Sequence, residues 1–133
     1  LVWDLEIIEF LIEEKYMKLN EDMTQRIELL LEDIRTDYKT WTAHRSSDRS
    51  SDRINQDMVE EFCSSLRYEV GQKYVRIVQD NRVWGFVVAT ENDKKFPQGE
   101  ILKAAGYKTP TRNAGRGNLF TEYTIEWTGP QYL

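Results

Sequence analysis

Apolar side chains recur at steps of four and three along one stretch of this chain: Leu19, Met23, Ile27, Leu30, Ile34, Tyr38 and Trp41. Only a helix puts residues so spaced on one face, so the spacing predicts an amphipathic helix over residues 21–42. Asn20 is placed to cap it, with Glu21 and Asp22 in the first turn, where the helix dipole favours acids. The stripe has two uses. It can be core, or it can be a dimer seam built on Met23, Ile27, Leu30 and Ile34. Asp37 interrupts a strict heptad and argues against a long coiled coil.

A second helical pattern covers about 55–69, with Met58, Val59, Phe62, Cys63 and Leu66 inward and Asn55 as a cap. An N-terminal pattern over 2–15 places Trp3, Ile7, Phe10 and Leu11 on one side. Residues 44–53, HRSSDRSSDR, are rich in serine and aspartate, which favour turns over helix interiors, and read as a linker or a frayed helix, across which the two helices can form a hairpin. As a helix they would align Arg45, Arg49 and Arg53, but Asp48 and Asp52 weaken a phosphate-binding reading.

At Gly71 the period changes from helix to strand. Lys73–Gln79 and Arg82–Ala89 read as two strands, and Asp80-Asn81 supplies a tight hairpin turn between them. Gly85 marks a bulge or a close backbone contact. Ile101, Leu102 and Ala105 suggest a short helix over 98–105, opened by Pro97 and closed by Gly106, with Lys103 near its C-terminal end. Residues 107–121 read as a loop. A last strand at 122–127 directs Tyr123, Ile125 and Trp127 to one face. The tail turns at Gly129-Pro130 and is expected to tuck Tyr132 and Leu133 onto the body. The fold expected is α+β: N-terminal helices packed on a small, mostly antiparallel sheet of about three strands, with one short inserted helix. Residues 1–133 form a single domain, helical over 17–70 and sheet-forming, with a basic loop, over 71–133.

Length and composition agree with one domain. A chain of 133 residues buries roughly two-thirds of its unfolded surface, enough for a core without staples. With one cysteine, Cys63, no internal disulfide forms, which suits a reducing compartment. No apolar run approaches the ~20 residues that span a bilayer, so no membrane partner is expected. The opening residues carry acids where a secretory signal needs positive charge. Glu13-Glu14-Lys15-Tyr16 can be encoded by a purine-rich stretch like a bacterial ribosome-binding site, which makes Met17 a candidate natural start.

Charge is split unevenly. Residues 1–66 carry 16 acids and 8 bases, and residues 67–133 carry 7 acids and 10 bases. The basic excess gathers in Lys94–Asn118, which holds Lys94, Lys95, Lys103, Lys108, Arg112 and Arg116 against a single acid, Glu100. The whole chain is −5. Arg112 and Arg116 can fork onto phosphate oxygens. Asn113 and Asn118 add amide donors and acceptors, and Gly115 and Gly117 let backbone N–H groups approach a ligand. Phe96, Tyr107 and Phe120 either stack on bases or anchor the loop to the sheet. The binding residues expected are therefore Lys103, Lys108, Arg112, Asn113, Arg116 and Asn118, and the partner a nucleic acid or another polyanion. The alternative is a protein-interaction module, a homodimer or host-protein binder working through Met23, Ile27, Leu30 and Ile34.

Catalysis has little to stand on. The lone His44 lies among polar residues with no fixed nucleophile beside it. Cys63 sits on an apolar stripe. No Cys/His spacing suits a metal, and Gly115-Arg116-Gly117 lacks the strand-to-helix setting of a nucleotide fingerprint. No cofactor and no metal are expected.

The runs GQKYVRIV (71–78), VWGFVV (83–88), GEILKAAGYKTPTRNAGRGN (99–118) and WTGPQYL (127–133) resemble a family of small uncharacterised proteins of tailed bacteriophages, notably marine and cyanobacterial phages. The likeness covers about residues 55–133 and extends loosely to 21–42. Glu100 stands where the family usually has aspartate, Tyr107 where it has tryptophan, and Thr109 and Thr111 replace small residues beside Pro110. The resemblance implies a phage accessory protein in the cytoplasm of an infected bacterium, and implies no activity.

Overall fold

A computed structural model describes residues 5–45 and 52–131, with side chains over 21–45 and 53–131. The stripe expected over 2–15, residues 46–51 of the linker and the packing of Tyr132 and Leu133 lie outside what is described.

Helix α1 (Leu5–Arg45) runs without a break through Asn20, so Asn20 is an interior residue and not a cap. Helix α2 (Asp52–Ser65) packs antiparallel to it: Tyr38 stacks on Phe62 at 4.0 Å, and Arg45 near the end of α1 reaches Met58 in α2. Arg35 crosses from α1 to donate to the carbonyls of Cys63 and Leu66, satisfying groups that the end of α2 leaves open.

The chain turns straight from α2 into β1 (Leu66–Val70), where the helical pattern was expected to continue to 69. Strands β2 (Tyr74–Gln79) and β3 (Arg82–Val88) form the expected hairpin, with Asp80 at φ 55° in its turn. The register shifts between Ile77 and Val78, beside Gly85, which confirms a bulge there. Residues 98–105 are not a helix. Ile101 and Leu102 form β4 (Ile101–Leu102), pairing antiparallel with Val87 and Phe86. Both are fully buried, on opposite faces, as a strand requires. The main sheet has four strands in the order β1-β2-β3-β4, all antiparallel.

A second, two-stranded sheet pairs β5 (Thr124–Glu126) with β6 (Gly129–Gln131). The turn falls at Trp127-Thr128, so Gly129-Pro130 lies in a strand and not in the turn. The class is α+β.

One face of the main sheet packs on the helices. Met23, Ile27, Leu30, Leu31, Ile34 and Tyr38 of α1 meet Val75, Ile77, Trp84, Val87 and Ile101. Tyr123, Ile125 and Trp127 join this core from the small sheet. Two acids one turn apart on α1 fasten that sheet. Asp33 accepts from the Tyr123 hydroxyl at 2.5 Å, and Asp37 accepts from the Trp127 backbone N–H at 2.8 Å. Asp37, which breaks the heptad in sequence, is thus a docking residue. Burial, reinforced by the Asp33 hydrogen bond, pushes the Tyr123 hydroxyl well above its ordinary pKa. The opposite face carries a smaller core of Phe86, Val88, Phe96 and Leu102 with Tyr74, and the basic segment folds over it.

Candidate nucleic-acid interface

The basic segment is built on the free edge of β4. The Ile101 N–H donates to the Gly117 carbonyl, the Arg116 N–H to Ile101 and the Thr111 N–H to Lys103, so residues 111–118 run back along β4. Between them Ala104 and Pro110 pair across a short hairpin whose tip is Gly106-Tyr107-Lys108. The Ala105 and Gly106 N–H groups both donate to the Thr109 carbonyl, which fixes the turn.

Arg112 does not face outward. Its guanidinium forks onto Asp93, with Nη2 to Oδ1 at 2.9 Å and Nη1 to Oδ2 at 3.0 Å, and Nη1 also donates to the Tyr74 hydroxyl. Asp93 Oδ1 accepts two further bonds, from the Lys95 and Phe96 backbone N–H groups, each at 2.9 Å. The Asp93 side chain is 6% exposed and that of Arg112 is 39%. The guanidinium lies 5.1 Å from the centre of the Phe96 ring. Hydrogen bonds from Arg112, then from the Phe96 and Lys95 amides, hold the Asp93 carboxyl well below the usual carboxylate range. Asp93 in turn holds Arg112 protonated above its ordinary value. Lys95 Nζ donates to the carbonyls of Arg112 and Asn113, closing the same knot from outside. Arg112 is a strut that ties the β3–β4 connection to the 107–121 segment, and the fork expected to meet a phosphate is engaged by Asp93.

Asn118 is also internal. It is buried, donates to the Gln98 carbonyl at 3.0 Å and to Glu100 at 3.1 Å, and accepts from the Phe120 N–H. Asn113 is exposed, its side chain accepting from the Ala114 N–H. The two glycines make room for the protein itself. A Cβ on Gly115 would sit 2.0 Å from the Glu100 carboxylate. Gly117, at φ 120°, leaves no space for one beside the Glu122 and Tyr123 backbone.

Lys103 and Arg116 come together, lining a cleft of about 330 Å³ with Trp84, Thr128 and Pro130, on the side of the sheet that carries β5 and β6. Arg112 works on the other side, against Tyr74 and Phe96. The four cations expected to converge are therefore divided by the sheet. Lys94, Lys103 and Lys108 are exposed, and none forms an ion pair with a described residue. Of the aromatics, Phe96 is buried, and Phe120 lies beneath the Arg26 guanidinium at 4.4 Å. Tyr107 stands on the hairpin, 47% exposed, against Arg76.

The alternative set is placed as core. Met23, Ile27, Leu30 and Ile34 are all buried against the sheet, so the seam they would form is already filled by the chain's own strands. The one hydrogen bond of His44 among the described residues stays within its helix, where Nδ1–H donates to the Thr40 carbonyl at 2.8 Å. Among the described residues no helix is long and apolar enough to cross a membrane, and no three His, Cys, Asp or Glu side chains gather as metal ligands do. The chain matches no protein-family model, and searches of curated proteins and of solved structures return no similar protein.

Proposed function

We propose that this is a non-enzymatic protein that contacts nucleic acid or another polyanion through the lysines of the basic segment, Lys103 and Lys108 foremost. The supporting observation is a division of labour. The Arg112 guanidinium is engaged by Asp93, while lysines on the same segment are exposed and meet no carboxylate among the described residues. A polyanion released of its counterions gains affinity from such groups in proportion to their number. Contact confined to these lysines also fits a body of −5 net charge, which disfavours an anion elsewhere on the chain. An accessory role in a tailed phage, and with it the cytoplasm of the infected host, belongs to the same proposal and rests on the sequence resemblance.

Retention on heparin at low salt tests the reading. The double variant Lys103→Gln with Lys108→Gln is expected to elute at the column void while keeping the wild-type melting temperature. Equal retention of the two proteins removes the site.

A further inference from the structure

The hairpin tip carries a feature that charge alone does not explain. Tyr107 is a large aromatic on a turn held by two backbone hydrogen bonds to Thr109, and nearly half its surface is open to solvent. One face of its ring is taken by the Arg76 guanidinium, 4.7 Å from the ring centre. Arg76 reaches it from the middle of β2, where it pairs with Phe86. Its Nε is buried with no hydrogen-bond partner, and its charge meets no carboxylate among the described residues. A cation held against a ring without an acid is poorly compensated, and it deepens the preference of that ring for an electron-rich, anion-bearing neighbour. Next to it a side chain on Gly106 would meet nothing within 4 Å, so the hairpin tip is open at that residue. Lys108 follows the ring on the same hairpin tip, while Lys103 enters the hairpin from the side of the sheet that carries β5 and β6.

We infer that Tyr107 is a stacking platform for an unpaired base, which makes the polyanion a single-stranded nucleic acid. The inference rests on the polyanion reading and narrows it. An acidic peptide or a sulfated sugar has no planar base to lay flat on the ring and would depend chiefly on the lysines. A duplex keeps its base faces stacked on one another, out of reach of an exposed ring, whereas a single strand offers both faces and phosphates at the spacing of the backbone. Arg76 acts through Tyr107, fixing the ring from below and adding positive potential to the platform.

Fluorescence anisotropy separates the possibilities, with labelled oligo-dT and oligo-rU of about 15 nucleotides, a duplex of the same length and labelled heparin as probes. The wild-type protein is expected to bind a single strand more tightly than the duplex. Tyr107→Ala should weaken strand binding by about five- to a hundredfold, with heparin binding and the salt dependence unchanged. Tyr107→Phe keeps the ring and should bind the strand as wild type does, which guards against a damaged hairpin as the cause. The inference is overturned if Tyr107→Ala binds the strand unchanged, if it loses strand and heparin together, or if duplex and strand bind alike. Heparin binding with no strand binding overturns this inference and leaves the polyanion reading standing. Binding of no probe at all ends both.

Discussion

Leu30→Glu leaves no folded protein, and Leu29→Glu, one residue away, changes almost nothing. Leu30 is 0% exposed and packs at the centre of the helix–sheet core, while Leu29 is 62% exposed on the outer side of α1. Truncating a buried leucine alone costs about 2–5 kcal/mol. Burying a carboxylate with no partner adds several more, or forces it to take up a proton. The sum rivals the whole stability of a domain of this size, about 5–15 kcal/mol. At Leu29 the change stays within about 0.5 kcal/mol. Circular dichroism and urea titration read both. A Leu30→Glu protein that remained folded, as a monomer released from a dimer, would show that the stripe is an intermolecular seam and that the packing described for α1 is wrong.

The second large effect concerns the strut. Arg112→Ala lowers the melting temperature more than the loss of any exposed lysine, because it strands a buried carboxylate and frees the Tyr74 hydroxyl together. Asp93→Asn is the milder change, since an amide can still accept the Lys95 and Phe96 N–H groups. The acid profile follows from the sign of the shift. The folded state holds the Asp93 carboxyl below its unfolded value, so its contribution is complete above the ordinary carboxylate range and is lost as pH falls through the folded value. Wild type should therefore lose stability on acidification more steeply than Asp93→Asn, and the two curves should converge at low pH. Parallel curves would mean that the pair does not link the two loops in solution.

Much of the fold could be read from periodicity. The stripe of α1 and the β2–β3 hairpin announce themselves, because the steps of 3.6 and 2 are unmixed and Asp80-Asn81 suits a left-handed turn residue. The two misread strands share one cause. Leu66 continues the apolar spacing of α2, and Arg67, Glu69 and Val70 are exposed on an edge strand, so nothing local marks the change to β1. Ile101, Leu102 and Ala105 fit a helical face equally well, and pairing with Phe86 and Val87 decides for a strand. Asn20 looks like a cap only if the helix starts there. For β1 and β4 a partner distant in sequence overrode the local pattern.

The site was half legible. Composition singles out 94–118 as basic, but a window opening at Lys94 stops one residue short of Asp93, the acid that neutralises Arg112. The role of Asn118 depends on Gln98 and Glu100, about twenty residues earlier, and no motif signals that pairing. Tyr107 was one of three aromatics with nothing to separate them. The structure buries Phe96, leaves Phe120 partly open with Arg26 over its ring, and leaves Tyr107 the most exposed of the three.

The claim beneath the rest is that the lysines of this segment work outward and its arginine strut inward. The slope of log binding constant against log salt, measured on heparin, tests that directly. Lys103→Gln with Lys108→Gln should flatten the slope by about 1.5, while Arg112→Gln, held below its own melting temperature, should keep the wild-type slope. A slope unmoved by the lysine pair, or flattened by Arg112→Gln, would contradict the account.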